Sequence, residues 1–543
     1  MEYDCIALGS GNAGLCSAIA AVESGCDPSR VLIIDKAPEE WAGGNSYFTA
    51  GAFRTVHGGL SDLLSAVQRT EKDQNRLNRI ELEPYTKEQF VRDILELGDR
   101  RPNRRLVNAV VEDSRGVISW LTESVGVRFA FPSHRQAYEV GGRLKFWGGL
   151  VVAAQDGGKG LLKDLMNKAK QLGIQFRWET TVVGLVVDQR ERVRGVNIRD
   201  TCTPKQDTLT AKAVILACGG FEANKDMRVK YLGPNWVHAR VSTCIISQNP
   251  KFDRHFLQVR GTPYNQGDGI KLALDLPPAL RPNLVGDWAG CHATCWDFNS
   301  PKDGGSRDLT NAYTKSGYPL GLMLNSQGRR YVDEGADYRN YTYAIYGRAT
   351  LEQPDNFAFQ IWDRKGKDML RVEEYGDEVT RRIEAQSIEE LAELLEKEGL
   401  NSPKAFVETV KEYNEAVKAF EAEFPDRQFD PAVKDGLGTQ SSAKRLEIPK
   451  SNWARQLEEP PFVGVKITCG VTFTFGGLPI DAETAGVLKA RGNGTVDGLF
   501  CAGEIVGDLF WGNYPGGSGL TAGAVFGRRA GKEVGRLVKE NQG

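Results

Sequence analysis

The first residues that suggest a binding function are three glycines near the start of the chain. They lie in the run Gly9-Ser10-Gly11-Asn12-Ala13-Gly14. This spacing suits a tight turn that brings the backbone close to a pyrophosphate. Gly9 allows the turn, Gly11 lets the backbone approach the anion, and Gly14 lets a helix pack closely on a strand. The helix that begins there offers unpaired N–H groups and its positive dipole end to the phosphates.

An acidic side chain for the same ligand follows about twenty residues after the last glycine. Asp35 ends the apolar run Val31-Leu32-Ile33-Ile34 and is placed to accept hydrogen bonds from a ribose hydroxyl. The elements that must position these groups are a strand over Cys5-Ile6-Ala7-Leu8, a helix over residues 15–22 and the second strand. Together they predict a dinucleotide-binding βαβ unit; the alternative is a glycine-rich turn in another α/β fold.

The overall composition limits the class of protein. A chain of 543 residues with 41% hydrophobic residues is long enough for two or three domains with ordinary cores. Its net charge of −2 gives no general attraction to nucleic acid. No apolar run approaches the roughly 18 residues of a membrane span, and the start lacks the basic region of a signal peptide. With scattered cysteines as well, we expect a cytoplasmic protein with no nucleic-acid partner and no integral membrane segment.

The pattern along the chain predicts a discontinuous cofactor domain. The apolar run Ala213-Val214-Ile215-Leu216 before a double glycine is typical of a buried parallel strand. Strand and glycine character returns near the end of the chain, followed by a predicted helix over residues 520–539. Between these parts, aromatic and charged residues mix and two helix patterns follow. We therefore expect residues 1–281 and 451–543 to form the cofactor domain and residues 282–450 to be inserted as a second domain.

Several separated segments resemble one flavoprotein family. Besides the opening turn, they are Gly43-Gly44-Asn45-Ser46, Ala217-Cys218-Gly219-Gly220, Gly267-Asp268-Gly269, Leu324-Asn325-Ser326-Gln327-Gly328-Arg329-Arg330-Tyr331-Val332-Asp333-Glu334, Phe475-Gly476-Gly477-Leu478 and Ala502-Gly503-Glu504-Ile505-Val506-Gly507. In this order they resemble the flavoproteins of the fumarate reductase and succinate dehydrogenase type. That family also includes ketosteroid dehydrogenases and tricarballylate dehydrogenase.

The resemblance implies an α/β fold: a Rossmann-type, glutathione-reductase-like FAD-binding domain with an inserted α+β capping domain over the isoalloxazine ring. It implies that the cofactor is FAD and that Glu504 binds ribitol or ribose hydroxyls. It also implies that the helix after Gly516-Gly517 begins near the flavin, where the helix dipole stabilises negative charge on the reduced ring. The implied cofactor-binding residues are Gly9, Gly11, Asn12, Ala13, Gly14, Asp35, Lys36, Gly43, Gly44, Asn45, Ser46, Gly51, Val183, Gly219, Gly220, Gly503, Glu504, Ser518 and Leu520.

Two implied catalytic residues lie in the inserted domain. His292 lies in the segment that carries a substrate-binding histidine in the soluble fumarate reductases, and Arg339 falls where the family has its proton-transferring arginine. Because the pKa of a free guanidinium lies above about 12, this role requires a desolvated site and a relay, for which Glu334 and Asp337 are candidates. The alternatives are a histidine bound to a backbone carbonyl and a surface ion pair at Arg339.

Two further implied site residues depart from the fumarate reductase pattern. Thr472, followed by Phe473, stands where those enzymes have a second histidine, and Tyr514 replaces their carboxylate-clamping arginine. A tyrosine donates one hydrogen bond and cannot form a bidentate charged clamp. Asn513-Tyr514-Pro515 is similar to ketosteroid dehydrogenases, in which a tyrosine polarises a carbonyl, whereas the wider segments 513–521 and 335–343 most resemble tricarballylate dehydrogenase. Four nearby tyrosines either line the site or form the core of the cap: Tyr338, Tyr341, Tyr343 and Tyr346.

These residues predict an FAD-dependent oxidoreductase that acts on a CH–CH group next to a carboxylate or carbonyl. Hydride would pass to or from flavin N5, Arg339 would assist the proton transfer, and a tricarballylate-like polycarboxylate is the leading small-molecule substrate. One alternative is a dehydrogenase of ketones or natural products in a pocket lined by Trp288, Trp296, Trp511 and Phe510. Another is a non-catalytic flavin protein that relays electrons.

The remaining cofactor and partner expectations come from absent motifs. Cys291, His292 and Cys295 lack a second ligand cluster at suitable spacing, so no metal site is predicted. The chain carries no Cys-x-x-Cys-His haem motif and no iron–sulfur cysteine pattern. Electrons would therefore leave to an unidentified acceptor: a partner protein, a quinone or oxygen.

Overall fold

The computed structural model describes residues 2–67, 75–146, 149–201, 203, 205–239, 261–300, 310–492 and 494–540. Its strands are β1 (Glu2–Leu8), β2 (Val31–Ile34), β3 (Ala52–Phe53), β4 (Ile80–Glu81), β5 (Phe129–Ala130), β6 (Ala137–Val140), β7 (Arg143–Phe146), β8 (Val152–Ala154), β9 (Gln175–Arg177), β10 (Thr180–Val187), β11 (Val193–Asp200), β12 (Gln206–Leu216), β13 (Cys291–Asp297), β14 (Leu322–Asn325), β15 (Ala358–Trp362), β16 (Ile383–Ala385), β17 (Phe462–Thr474), β18 (Gly486–Leu488) and β19 (Thr495–Cys501).

The longer helices are α1 (Asn12–Glu23), α2 (Lys87–Leu97), α3 (Arg104–Trp120), α4 (Gly157–Leu172), α5 (Asp268–Leu274), α6 (Arg339–Leu351), α7 (Ile388–Glu396), α8 (Pro403–Glu423) and α9 (Ser518–Glu540). Shorter α-helices span Leu60–Leu63, Ser133–Gln136, Lys225–Met227, Arg364–Lys367 and Val372–Tyr375. None of the helices that the structure describes combines the length and the apolarity needed to cross a membrane.

A large sheet forms the predicted cofactor domain. Its strands follow the order β10-β11-β12-β1-β2-β9, and β19 pairs with the second half of β12. The pairs β12–β1, β1–β2, β2–β9 and β12–β19 are parallel. Consequently the carboxyl ends of β1, β2, β12 and β19 meet at one edge of the sheet, where an open α/β sheet binds its ligand.

Small residues allow the first and last helices of the chain to lie against each other. A Cβ atom at Gly527 would lie 2.6 Å from the backbone oxygen of Ala13, and one at Gly531 would lie 2.2 Å from that of Ser17. Glycines four residues apart share one helix face, so α9 packs its glycine face on α1. This contact joins the C-terminal segment to the opening βαβ unit, as the discontinuous organisation requires.

The inserted domain is built on an antiparallel sheet. Its strand order is β13-β17-β15-β14, with β16 also paired to β17. Helices α7 and α8 contribute Leu391, Leu395, Phe406 and Val410 to a core with Phe359 of β15. The strand Phe462–Thr474 pairs with strands of the inserted domain, although it lies after residue 450, where that domain was predicted to end. The domain boundaries themselves stay predictions.

Candidate active site

One cavity lies at the carboxyl edge of the large sheet and extends beneath the cap. The loops after β1, β2, β12 and β19 form one part of its wall, and residues from β13, β17 and the start of α9 form another. The predicted cofactor-binding residues in its lining are Gly9, Gly11, Asn12, Ala13, Asp35, Lys36, Gly44, Asn45, Ser46, Gly219, Gly503, Glu504 and Leu520.

The first turn of α1 fits a pyrophosphate. Gly9 has a φ of 108°, and a Cβ atom there would lie 2.4 Å from the backbone oxygen of Ala217. At Gly14 a Cβ atom would lie 2.0 Å from the backbone oxygen of Gly9, so both positions require glycine. The helix has no side-chain N-cap bond and no acidic residue in its first turn. Asn12 N donates to Ser46 Oγ at 3.1 Å, and the next N–H groups of the turn, with the helix dipole, can face an anion.

Asp35 occupies the position expected of a ribose ligand. Its Oδ2 accepts hydrogen bonds from Ser10 N (2.9 Å) and Ser10 Oγ (2.6 Å), and its Oδ1 accepts one from Ala37 N (2.9 Å). A carboxylate has about four lone-pair positions, so the fixed group can still accept bonds from hydroxyls in the cavity. Lys36 forms an ion pair with Asp268 beside it.

The other predicted cofactor residues are not among the residues that line the cavity, namely Gly14, Gly43, Gly51, Val183, Gly220 and Ser518. Gly43 N donates to Ser10 Oγ at 2.9 Å, and Ser518 Oγ donates to the backbone oxygen of Pro515 at 2.5 Å. Val183 is 40% exposed, while its neighbour Val182 lines the cavity. The contact of all six residues with FAD stays a prediction.

A strand irregularity places His292 and Thr472 in the cavity wall. The antiparallel register pairs His292 with Phe473 and Ala293 with Val471, so Thr472 is an extra residue in β17. Such β-bulges redirect side chains and are frequent beside active sites. Both His292, which is 4% exposed, and Thr472 line the cavity.

Tyr514 reaches the same wall from the segment before α9. Its ring meets the ring of His292 edge-on, with centroids 5.1 Å apart, and also meets the ring of Phe473 edge-on at 5.0 Å. His292 stacks on Phe473 at 5.6 Å. Phe475 and Phe510 complete an aromatic wall around Tyr514. Three predicted catalytic residues, from β13, β17 and the C-terminal segment, therefore converge.

Two of the lining residues that the sequence analysis did not identify carry buried polar atoms without a partner. Gln136 and Thr314 are 3% and 2% exposed and line the cavity. Within the described part of the chain, Gln136 Oε1 and Thr314 Oγ1 have no hydrogen-bond partner. A buried polar atom without a partner is costly, so a polar ligand group in the cavity would satisfy both. No motif marks these residues, because they reach the site through tertiary packing.

Arg339 is the first residue of α6 and is buried, with 6% exposed. Its guanidinium lies 5.9 Å from the ring centroid of Tyr138 and lines a neighbouring cavity of the cap. The backbone beside it contacts the main site: Gly516 N donates to the oxygen of Asn340 at 2.8 Å, and Asn513 Nδ2 donates to that of Tyr341 at 2.6 Å. The structure thus brings the start of α6, and not the guanidinium itself, to the cavity wall.

The two candidate relay carboxylates have other partners. Glu334 is paired with Arg330 and accepts a hydrogen bond from Met323 N at 2.9 Å. Asp337 lies 3.5 Å from Lys434 Nζ. These contacts hold the loop before α6.

Of the aromatic residues named in the alternative prediction, Phe510 lines the cavity and the three tryptophans are not among its lining residues. Trp288 stacks on Phe221, Trp296 donates to Ser300 Oγ at 2.9 Å, and Trp511 donates to Asp508 Oδ1 at 3.1 Å. Among the tyrosines, Tyr346 belongs to the cap core and Tyr341 contacts the cofactor domain; the side chain of Tyr343 lies outside the described residues.

The cysteines near His292 are buried thiols. Burial raises the pKa of Cys291 to about 12 and that of Cys295 to about 12. Since metals bind the thiolate form, protonated thiols are poor ligands. Within the described ranges, no group of three or more His, Cys, Asp or Glu side chains could hold a metal ion.

Comparisons with known proteins agree with this geometry. Residues 4–520 match the family model described as FAD binding domain. The chain is 26% identical over 539 residues to fumarate reductase (cytochrome) of Shewanella frigidimarina, covering 99% of this chain and 78% of that protein. It is 24% identical over 548 residues to urocanate reductase of Eggerthella lenta, covering 99% and 75%. Its fold is similar to 3-ketosteroid Δ1-dehydrogenase from Sterolibacterium denitrificans, with a TM-score of 0.67, 17% identity and coverage of 98% and 99%.

Proposed function

We propose a substrate class for this chain, which belongs to the FAD binding domain family and is an FAD-dependent oxidoreductase that acts on CH–CH groups. Its substrate carries one carbonyl or carboxylate beside the reacting C–C bond. The observation that carries this proposal is the convergence of His292, Thr472 and Tyr514 in the same cavity as the dinucleotide loop. When bound, FAD supplies the acceptance or donation of a hydride.

His292 and Tyr514 are proposed to bind the activating oxygen. Their rings contact each other edge-on, so the imidazole and the phenol can both reach one small oxygen group. Negative charge builds up on that oxygen in the transition state, and positioned donors in a site shielded from water stabilise it strongly. Thr472 on the bulge, together with Gln136 and Thr314 of the same cavity lining, would bind a second polar group of the substrate.

Arg339 is proposed to move the proton at the carbon next to the activating group. Its side chain is buried in the cap, with 6% exposed, and is thus shielded from bulk water. The hydrogen bond from Gly516 N to Asn340 fixes the start of its helix beside the turn that follows Tyr514. The guanidinium would reach the substrate from the side of the neighbouring cavity.

The charge of the lining favours a substrate with one activating group over a tricarboxylate. Among the described lining residues the basic side chains are Lys36 and His292, and Lys36 is paired with Asp268. The aromatic wall around Tyr514 suits an apolar body. A tricarballylate-like polycarboxylate, the class favoured by the segment resemblance, would need cations that this part of the wall lacks. We therefore place it second.

The variant Tyr514→Phe tests this assignment. With a reduced dye as electron donor, we expect kcat/KM for an α,β-unsaturated monocarbonyl compound to fall about 10²- to 10³-fold, because one donor to the developing charge is lost. Tyr346→Phe is the matched control, since its hydroxyl donates to the backbone oxygen of Asp333 inside the cap; it should alter stability but not kcat/KM. Unchanged turnover in Tyr514→Phe, or a clear preference of the wild-type protein for an unsaturated tricarboxylate, would overturn the proposal.

A further inference from the structure

The segment that carries Tyr514 has no helix or strand of its own. It joins β19 to α9, and its residues Phe510 and Tyr514 line the cavity. Without the hydrogen bonds of a helix or a sheet, such a segment is held in place by individual contacts of its backbone and its side chains. The position of the Tyr514 hydroxyl therefore depends on what fixes residues 508–513.

Asp508 has an unusual backbone conformation at the start of these residues. Its φ of 69° lies in the left-handed region, which non-glycine residues occupy rarely and which Asp and Asn tolerate best. The neighbouring chain passes very close to it, since a Cβ atom at Gly286 would lie 2.4 Å from Asp508 N. Backbone strain of this kind is frequent at active sites and persists where surrounding contacts hold it.

Both oxygens of the Asp508 carboxylate accept hydrogen bonds. Oδ1 accepts from Trp511 Nε1 at 3.1 Å, and Oδ2 accepts from Asn103 Nδ2 at 3.2 Å. The backbone oxygen of Asp508 accepts from Asn103 N at 2.8 Å. Asn103 is the N-cap of α3, where its Oδ1 accepts from Arg105 N at 3.0 Å. Asp508 thus connects the turn before Tyr514 to the start of a long helix.

Two further contacts fix the residues between Asp508 and Tyr514. Gly512 N donates to Asp287 Oδ2 at 2.6 Å, a few residues before β13 begins. Tyr514 N donates to Asn513 Oδ1 at 2.8 Å. Asp508 itself is not among the residues that line the cavity, so any effect of its side chain on the reaction passes through its neighbours.

We propose that Asp508 is a positioning residue for Tyr514. Its left-handed backbone directs the chain toward the cavity, and its carboxylate joins Trp511 to Asn103, so that the Tyr514 hydroxyl stays aligned with the activating oxygen of the substrate. This role depends on the proposed hydrogen bond from Tyr514 to that oxygen. Because a displacement of about 1 Å can cost about 10²-fold in rate, a carboxylate outside the cavity lining can control turnover.

The test measures kcat, KM and FAD content of the holoenzyme, with a reduced dye as electron donor and an α,β-unsaturated monocarbonyl compound as acceptor. Asp508→Gly removes the carboxylate but adopts the left-handed backbone freely. We expect its kcat to fall about 10- to 10²-fold with little change in KM, because an interaction of the transition state is weakened. Asp508→Asn tolerates the same backbone and keeps an acceptor for Trp511, so it should recover part of the rate.

Asp188→Gly is the matched control for the loss of a turn carboxylate. Asp188 Oδ1 accepts hydrogen bonds from Arg190 N at 2.8 Å and from Arg192 N at 3.0 Å, in the turn between β10 and β11. The control should keep the wild-type kcat.

A double-variant cycle with Tyr514→Phe separates positioning from a general loss of stability. In the Tyr514→Phe background, Asp508→Gly should change kcat by less than about twofold, because the hydroxyl that Asp508 aligns is already absent. Equal losses of kcat in both backgrounds, or a wild-type kcat in Asp508→Gly, would overturn the role of Asp508 alone. Wild-type turnover in Tyr514→Phe would overturn the proposed function itself, and this role with it.

If Asp508→Gly does not fold, Trp511→Phe takes its place in the same cycle. It removes the donor to Asp508 Oδ1 and keeps an aromatic ring. A loss of kcat that disappears in the Tyr514→Phe background would support the positioning role, and an unchanged kcat or equal losses in both backgrounds would contradict it.

Discussion

At the scale of single residues, the site combines polar groups that a motif can reveal with others that it cannot. His292, Thr472 and Tyr514 were predicted from the segments around them, and all three line the cavity; their catalytic roles stay predictions. Gln136 and Thr314 could not be predicted, because each reaches the cavity from a short segment without a recognisable pattern. Asp508 also escaped prediction, since its hydrogen-bond partner Asn103 is distant in sequence.

Arg339 provides the sharpest prediction at this scale. We expect Arg339→Gln to lower kcat about 10²- to 10⁴-fold, because the neutral amide is too weak an acid to give a proton to the carbon next to the activating group. Arg339→Lys keeps an acidic proton and should recover part of the rate. Steady-state turnover, with the FAD content measured on the same samples, checks this expectation.

The matched control for Arg339 is Arg348→Lys on the same helix. Arg348 Nη2 donates to the backbone oxygen of Ala289 at 2.6 Å and has no proposed chemical role. It should leave kcat unchanged. A kcat of Arg339→Gln within about tenfold of the wild type would remove Arg339 from the mechanism.

At the scale of elements, a buried network joins the cap to the cofactor domain. Arg54, fully buried after β3, donates to the backbone oxygen of Gly516 at 2.9 Å and to Tyr341 Oη on α6 at 3.1 Å. Tyr341 in turn donates to Asp93 Oδ2 on α2 at 2.7 Å. Burial raises the pKa of Tyr341 to about 12, so its hydroxyl keeps this proton at neutral pH. The network fixes the start of α6 beside the turn before α9.

We expect Arg54→Met to destabilise the protein by about 3–5 kcal/mol, because it leaves the charge of Asp93 without its buried partner. Urea unfolding followed by circular dichroism measures the loss. The double variant Arg54→Met/Asp93→Leu removes both charges and should recover most of the stability. A loss below about 1 kcal/mol in the single variant would show that the network does not hold the two domains together.

Local patterns predicted the elements better than their pairing. The opening βαβ unit and the last helix, expected over 520–539 and observed at Ser518–Glu540, follow from periodicity and glycine placement. The strand Phe462–Thr474 was expected in the last cofactor segment, but it pairs with β13, β15 and β16 of the cap. Strand pairing over such distances depends on tertiary contacts, which a local pattern does not contain.

At the scale of the whole molecule, the family, the FAD cofactor and the Rossmann-type fold with its cap were predicted from the sequence and are confirmed. The chain is therefore an FAD-dependent oxidoreductase of CH–CH groups. Its substrate was harder to predict, because charge in the cavity depends on which side chains the cap turns inward. The resemblance to tricarballylate dehydrogenase favoured a polycarboxylate, whereas the described wall is aromatic and nearly without cations.

The central claim is that the cap and the FAD cavity form one site for a C–C bond next to a single activating oxygen group. The most direct measurement is the anaerobic reoxidation of the photoreduced protein, followed by flavin absorbance, after addition of an α,β-unsaturated monocarbonyl compound. We predict rapid reoxidation by this compound, slower reoxidation by an unsaturated tricarboxylate, and loss of the rapid phase in Tyr514→Phe. A flavin that stays reduced with both compounds, although oxygen reoxidises it, would contradict the claim.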